Sequence, residues 1–209
     1  MNTPRRVAAL ILAAGRSSRA APANKLLHPD ASGVPMIAAV ADAVMRSRAS
    51  PVLAVVGWRA AEIRAALAGR PLRFVEAPDY ALGLSASLSA GIRALPAEAD
   101  AVLVCLGDMP LVATRTLDRL IDAYAPAPGR RIVVPVHAGK QGNPVLWGRA
   151  FFAEILSLQG DRGARALLAL HEDDICRVVI ADDSVLRDFD TREALPRSGE
   201  AWTGPHPPR

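Results

Sequence analysis

Residues 10–27 read LILAAGRSSRAAPANKLL, and the fold turns on how this stretch is read. It closes an aliphatic run, Val7–Ala13, narrows through Ala14 and Gly15, and then becomes basic at Arg16 and Arg19, with Lys25 just beyond. A short aliphatic run that ends in a glycine turn has the pattern of a fully buried strand. Where such a strand enters a small-residue turn, backbone N–H groups point out of the sheet edge and bind phosphate oxygens if a ligand can come close. Gly15 permits that approach, and the positive φ of a tight turn. Arg19 adds a two-pronged grip and Lys25 a point charge. A solvated basic loop is the other reading of the same residues. The P-loop spacing G-x-x-x-x-G-K-S/T and the dinucleotide fingerprint G-x-G-x-x-G are both missing from this stretch.

Beyond this stretch, buried-strand runs recur at Val52–Val56, Leu72–Glu76 and Ala101–Leu106. Helical periods separate them at Met36–Arg48, Ala60–Ala68 and Ser85–Leu95. The alternation predicts an α/β fold: a single-domain, Rossmann-like sheet, mostly parallel, with helices on both faces. Further strands are expected at Arg131–Val136 and Pro144–Trp147 around the turn His137–Asn143, and a last one at Cys176–Ala181. Further helices are expected at Phe151–Leu158 and Ala164–His171. The domain is read as 1–195, followed by a mobile Pro- and Gly-rich tail, 196–209.

The 209 residues suffice for one α/β core, which Ala, Leu and Val must fill because aromatics are only 4%. No apolar stretch reaches membrane-span length, and the apolar N-terminal run leads into the Arg/Ser cluster as a first strand would rather than a signal peptide. A soluble, cytoplasmic protein is expected. Cys105 and Cys176 sit in apolar runs and read as buried thiols, without metal-ligand or disulfide spacing. The net charge of +4 suits an anionic small molecule, and there is no basic run interleaved with aromatics; nucleic acid and membrane are therefore not expected partners.

Ligands of parallel sheets sit at the carboxyl ends of the strands, so the loops after each strand carry the chemistry. VLVCLGDMPLV (102–112) delivers Asp108 there, as a metal ligand or as the N-cap of a helix starting near Val112. LRDFDTREAL (186–195), read as a strand-like segment meeting a short helix, offers Asp190 and then Asp188, again as metal ligand or helix cap. APDYALGLSASLSAG (77–91) sets Gly83 before a helix whose first turn carries Ser85 and Ser87, suited to base or ribose recognition or simply to capping. HEDDI (171–175) and ADDSV (181–185) read as solvated turns. None of the four histidines has metal-site spacing.

LAAGRSSRAAPANKLL resembles L-A-A-G-x-S-x-R-M-G-x-x-x-K-L-L, a signature of nucleotidyltransferases that make sugar nucleotides and cofactor dinucleotides. GKQGNPVLW (139–147) and GDRGARALL (160–168) narrow the resemblance to the molybdenum cofactor cytidylyltransferase branch of the MobA-like NTP transferase family. The resemblance implies that Arg19 and Lys25 hold phosphates over the backbone of Leu12, Ala13, Ala14 and Gly15, with Gly83 and Ser87 on the nucleotide side. It implies that Arg19, Lys25 and Asp108 are the catalytic residues. Asp108 and Asp190 would hold Mg2+, and Asn143, Pro144 and Arg162 would face the acceptor. The implied reaction is CMP transfer from CTP to the terminal phosphate of molybdenum-molybdopterin, with a client molybdoenzyme or its chaperone as a further partner. Ala14, where the guanylyl branch has glycine, is expected to narrow the pocket near the base against purines. The chain departs from the family pattern at Ala20-Ala21 (Met-Gly), Ala77 (Asn) and Arg192 (Pro). The same fold acting on another phosphorylated acceptor such as a sugar phosphate, and a non-catalytic cofactor-binding chaperone, are the alternatives.

Overall fold

In the computed structural model, which describes residues 5–16, 24–160 and 164–189, Val7–Ala13 forms β1 and every position of it is buried. Its side chains alternate between two apolar clusters. Val7, Ala9, Ile11 and Ala13 enter one, Leu10 and Leu12 the other. A strand with both faces covered has no solvent side, which is why its sequence is continuously aliphatic. Helices α1 (Met36–Met45), α2 (Ala60–Ala66) and α4 (Thr114–Ala123) cover the first face through Ile37, Ile63 and Leu117. Helices α3 (Leu84–Arg93), α5 (Phe152–Ser157) and α6 (Arg165–Leu170) cover the second through Leu88, Ile155 and Leu168.

β1 lies between β2 (Val52–Val56) and β4 (Ala101–Leu106), and β3 (Arg73–Glu76) extends the sheet beyond β2, all parallel. The chain moves outward from β1 to β3 and returns to β4 on the other side of β1, so the crevice lies where β1 and β4 end. Past β4 the sheet mixes. β7 (Val145–Gly148) runs antiparallel to both β4 and β5 (Ile132–His137), β6 (Lys140–Gln141) forms a short hairpin with β5, and β8 (Ile175–Val179) pairs parallel with β5. The expected mostly parallel α/β sheet with helices on both faces is present.

Local departures from the expected elements have identifiable causes. α1 ends early because the Ser47 hydroxyl donates to the Val44 carbonyl and accepts from the Ala49 N–H, turning the chain out of the helix. Residues 186–189 are not strand-like: a 3-10 turn, Asp183–Leu186, leads into irregular backbone, and the rest of the expected segment lies outside the described residues. Asp174 is not solvated. It is 8% exposed and receives both prongs of the Arg131 guanidinium, Nε to Oδ1 at 2.6 Å and Nη2 to Oδ2 at 3.0 Å. Cys176 is half-buried, whereas Cys105 is in the core, where burial pushes its thiol up to about 12. Among the described residues, no helix is long and apolar enough to cross a membrane. The segment 196–209 lies outside the described residues.

Candidate functional site

Two loops meet over the crevice. Gly107 follows β4, and its N–H donates to the Leu12 carbonyl at the end of β1. A Cβ at 107 would lie 2.9 Å from that carbonyl oxygen, so glycine is what lets the two strand ends close together. Asp108 then emerges over the crevice, and its own carbonyl accepts from the Phe189 N–H at 3.2 Å. The opposite wall is the 3-10 turn Lys25–Leu27. The Asn24 side chain caps it by accepting from the Leu26 N–H, and Leu26, 4% exposed, packs into the first core cluster beside Gly107 and Ile37. Anchored in this way, the turn delivers Lys25 to the aspartate.

Lys25 Nζ donates to Asp108 Oδ2 at 2.6 Å, with the two side chains only 11% and 16% exposed. The other carboxylate oxygen, Oδ1, is buried and has no hydrogen-bond partner among the described residues. A buried carboxylate oxygen left unmatched is costly, and an ordered water, an ion or a catalytic role accounts for such atoms in native proteins. A hard divalent cation suits it, since such ions take carboxylate oxygens and fill their remaining positions with water and phosphate. The helix-cap alternative for Asp108 fails: α4 begins at Thr114, with Ala113 at its cap position and no side-chain cap bond. Among the described residues there is no group of three or more His, Cys, Asp or Glu that could hold a metal.

The phosphate-cradle residues fall into place unevenly. Leu12, Ala13 and Ala14 are 8%, 1% and 1% exposed, so only their backbone can meet a ligand. For Ala14 this corrects an expectation: its methyl packs in the second core cluster with Leu12 and Ala77 and is not presented to a base. Gly15 is exposed and does not adopt positive φ, but a Cβ there would meet no protein atom within 4 Å. No acceptor among the described residues takes its N–H. Among the described residues, nothing fills the space a Gly15 side chain would take. Arg19, Asp190 and Arg162 lie outside the described residues; Asp188 is exposed, one residue before Phe189 and its bond to Asp108.

On the nucleotide side, Gly83 holds φ +113° at the start of α3, a conformation that favours glycine. The Ser85 hydroxyl is already engaged, donating to the Gly160 carbonyl at 2.7 Å, and Ser87 is 4% exposed, covered by protein. The loop after β2 joins this wall, a contribution that sequence reasoning missed. Gly57 admits the Tyr80 ring, which a Cβ at 57 would meet at 2.7 Å. The Arg16 guanidinium stands 5.8 Å from that ring's centroid, and the Trp58 N–H donates to the Ala14 carbonyl. A strand ending in glycine at Gly57 was the available signal. On the acceptor side, Asn143 is half-buried and donates its N–H to Val185, while Pro144 lines a small apolar cleft with Cys105, Leu106 and Met109. The structure thus brings Lys25, Asp108, Gly15 and Pro144 to one sheet edge.

This fold and site define a nucleotidyltransferase-type α/β domain. Residues 9–175 match the MobA-like NTP transferase domain, and the chain belongs to that family. It is similar to Rv0371c from Mycobacterium tuberculosis H37Rv, with a TM-score of 0.80, 28% identity, and 92% of this chain and 96% of that one covered. It is also similar to a complex of Rv0371c with manganese, with a TM-score of 0.72, 27% identity, and 85% and 89% covered. A nucleotidyl transferase from Methanothermobacter thermautotroptrophicus superimposes with a TM-score of 0.79 at 27% identity, over 90% of this chain and 94% of that one. Among curated proteins, the bifunctional protein GlmU of Geobacter metallireducens is 33% identical over 144 residues, 68% of this chain. The chain spans 29% of that relative's length.

Proposed function

We propose that this chain is a divalent-metal-dependent cytidylyltransferase that transfers CMP from CTP to the terminal phosphate of molybdenum-molybdopterin, releasing pyrophosphate. The observation that carries the transferase chemistry is the Lys25–Asp108 pair over the β1/β4 crevice, with Asp108 Oδ1 buried and unmatched. The cytidylyl and pterin assignments rest on the motifs Leu-Ala-Ala-Gly, GKQGNPVLW and GDRGARALL. The manganese complex of a related structure supports a divalent ion, which we take to be Mg2+.

In this reading the backbone of Leu12–Gly15 lies under the triphosphate, Lys25 pairs with an α-phosphate oxygen, and Arg19 with the β- and γ-phosphates. Asp108 and Asp190 hold the metal, which supplies positive charge against the phosphates. Gly83 borders the nucleoside, with Ser87 packed behind it on α3, and Asn143, Pro144 and Arg162 position the acceptor. An oxygen of the acceptor's terminal phosphate attacks the α-phosphorus and forms the new P–O bond. The bond from that phosphorus to the bridging α–β oxygen breaks, and its electron pair leaves with pyrophosphate. The attacking phosphate is already an anion, so no side chain has to accept a proton. The protein's work is alignment and charge neutralisation.

The test is pyrophosphate release in Mg2+ with CTP, GTP, ATP and UTP offered separately, together with molybdenum-loaded molybdopterin or with sugar 1-phosphates. Release with CTP and the pterin alone is expected. Release only with a sugar phosphate would move the acceptor assignment, and binding of the finished cofactor without turnover of any nucleotide would indicate a chaperone.

A further inference from the structure

Lys25 and Asp108 now hold each other, yet a bound metal–nucleotide complex would claim both: the ammonium for phosphate, the carboxylate for metal. A divalent ion placed on Asp108 while Lys25 Nζ stays 2.6 Å from Oδ2 would put three positive charges around one carboxylate. Like charges at such separations repel strongly wherever water is largely excluded. The two side chains also differ in freedom. Asp108 is fixed through its carbonyl by the Phe189 N–H and through the tight Gly107 contact with Leu12. Lys25 has its backbone pinned by the Leu26 anchor, and its four-carbon stem gives the ammonium more reach than the short Asp108 side chain gives its carboxylate.

We propose that Lys25 serves as a stand-in cation at the metal position. Without nucleotide it neutralises Asp108 and weakens the binding of a divalent ion alone. The incoming triphosphate draws the ammonium away and opens the carboxylate to the metal that travels with the nucleotide. This inference rests on the nucleotidyltransferase reading and adds an order of assembly to it. It makes metal and nucleotide binding mutually dependent, and that dependence is reciprocal by linkage.

Mn2+ binding followed by electron paramagnetic resonance tests the proposal, with and without an unreactive CTP analogue. Wild-type protein should bind Mn2+ alone more weakly than Mn2+ with the analogue by on the order of tenfold to a hundredfold. Lys25→Met should bind Mn2+ alone tighter than wild type by roughly tenfold, while binding the Mn2+–analogue complex more weakly. Added Mn2+ should also raise the melting temperature of Lys25→Met more than that of wild type, and Asp108→Asn should abolish Mn2+ binding in either background. The proposal is overturned if both proteins bind the Mn2+–analogue complex yet Lys25→Met binds free Mn2+ no tighter than wild type. The wild-type comparison stands even if the variant does not fold: equal Mn2+ affinity with and without the analogue also overturns it. Failure of wild type to bind the analogue at all would instead remove the nucleotidyltransferase reading, and this inference with it.

Discussion

Two ion pairs with buried or largely buried carboxylates sit in the two halves of the sheet, and they are built differently. Arg131–Asp174, beside β5 and β8, is closed: both carboxylate oxygens are matched and the guanidinium stands 5.9 Å from the Phe151 ring centroid. Lys25–Asp108, at the β1/β4 crevice, is open: one oxygen is bonded at 2.6 Å and the other is buried with no partner among the described residues. A closed pair needs nothing further and staples the elements it joins. An open pair is completed by something from outside. In the proposed reading the difference separates a structural charge from a functional one, and the sequence alone had read Asp108 as a metal ligand or helix cap and Asp174 as part of a solvated turn.

The largest expected effects exploit that contrast. Asp108→Asn should lower turnover by on the order of 10²–10³-fold, the loss typical of a group that stabilises transition-state charge. Asp174→Asn should act on stability instead. It breaks a pair whose loss costs up to about 3 kcal/mol, discounted because the Arg131 side chain is 39% exposed, and leaves turnover intact below the melting temperature. Urea melts and pyrophosphate assays on the same preparations check both.

Two glycines sharpen the comparison. At Gly142 a Cβ would run into the Val185 carbonyl, so Gly142→Ala should cost about 1–3 kcal/mol of stability. At Gly15 a Cβ meets no protein atom, so Gly15→Ala should leave stability within roughly 0.5 kcal/mol and act on nucleotide KM instead. Equal KM in Gly15→Ala and wild type would mean that the open space is not ligand space.

Smaller effects concern the core. Cys105 has its thiol pushed up to about 12 by burial, from 9.0. Above pH 9 the unfolded chain loses that proton while the folded one keeps it. Stability should therefore fall between pH 9 and 12, by at most about 1.4 kcal/mol per pH unit, and Cys105→Ala should remove that slope. Ala14→Gly, with a methyl 1% exposed, should cost about 0.5–1 kcal/mol and leave the CTP-over-GTP preference unchanged. A changed preference would show that the buried methyl shapes the base pocket through its neighbours.

What was legible in the sequence follows from range. Val7–Ala13, Val52–Val56 and Ala101–Leu106 read end to end as the strands they are, because strands buried on both faces leave a continuous aliphatic signal. Asp108 was legible because the glycine turn that exposes it adjoins its strand. Its partner was not: Lys25 lies 83 positions away, and the contact depends on how Leu26 packs beside Gly107. The same holds for Asp174, a solvated turn by local pattern and a buried staple once Arg131, 43 positions away, is beside it. The insertion of β7 between β4 and β5, and the Tyr80 ring over Gly57, are likewise products of long-range pairing that no local period encodes.

Diffraction from crystals soaked with Mn2+ and an unreactive CTP analogue, recorded at the manganese edge, tests the open pair most directly. An anomalous peak about 2.1 Å from Asp108 Oδ1 is expected, with the Lys25 ammonium moved from the carboxylate to phosphate. A manganese peak elsewhere, with Lys25 and Asp108 still bonded to each other beneath a bound nucleotide, would contradict that expectation.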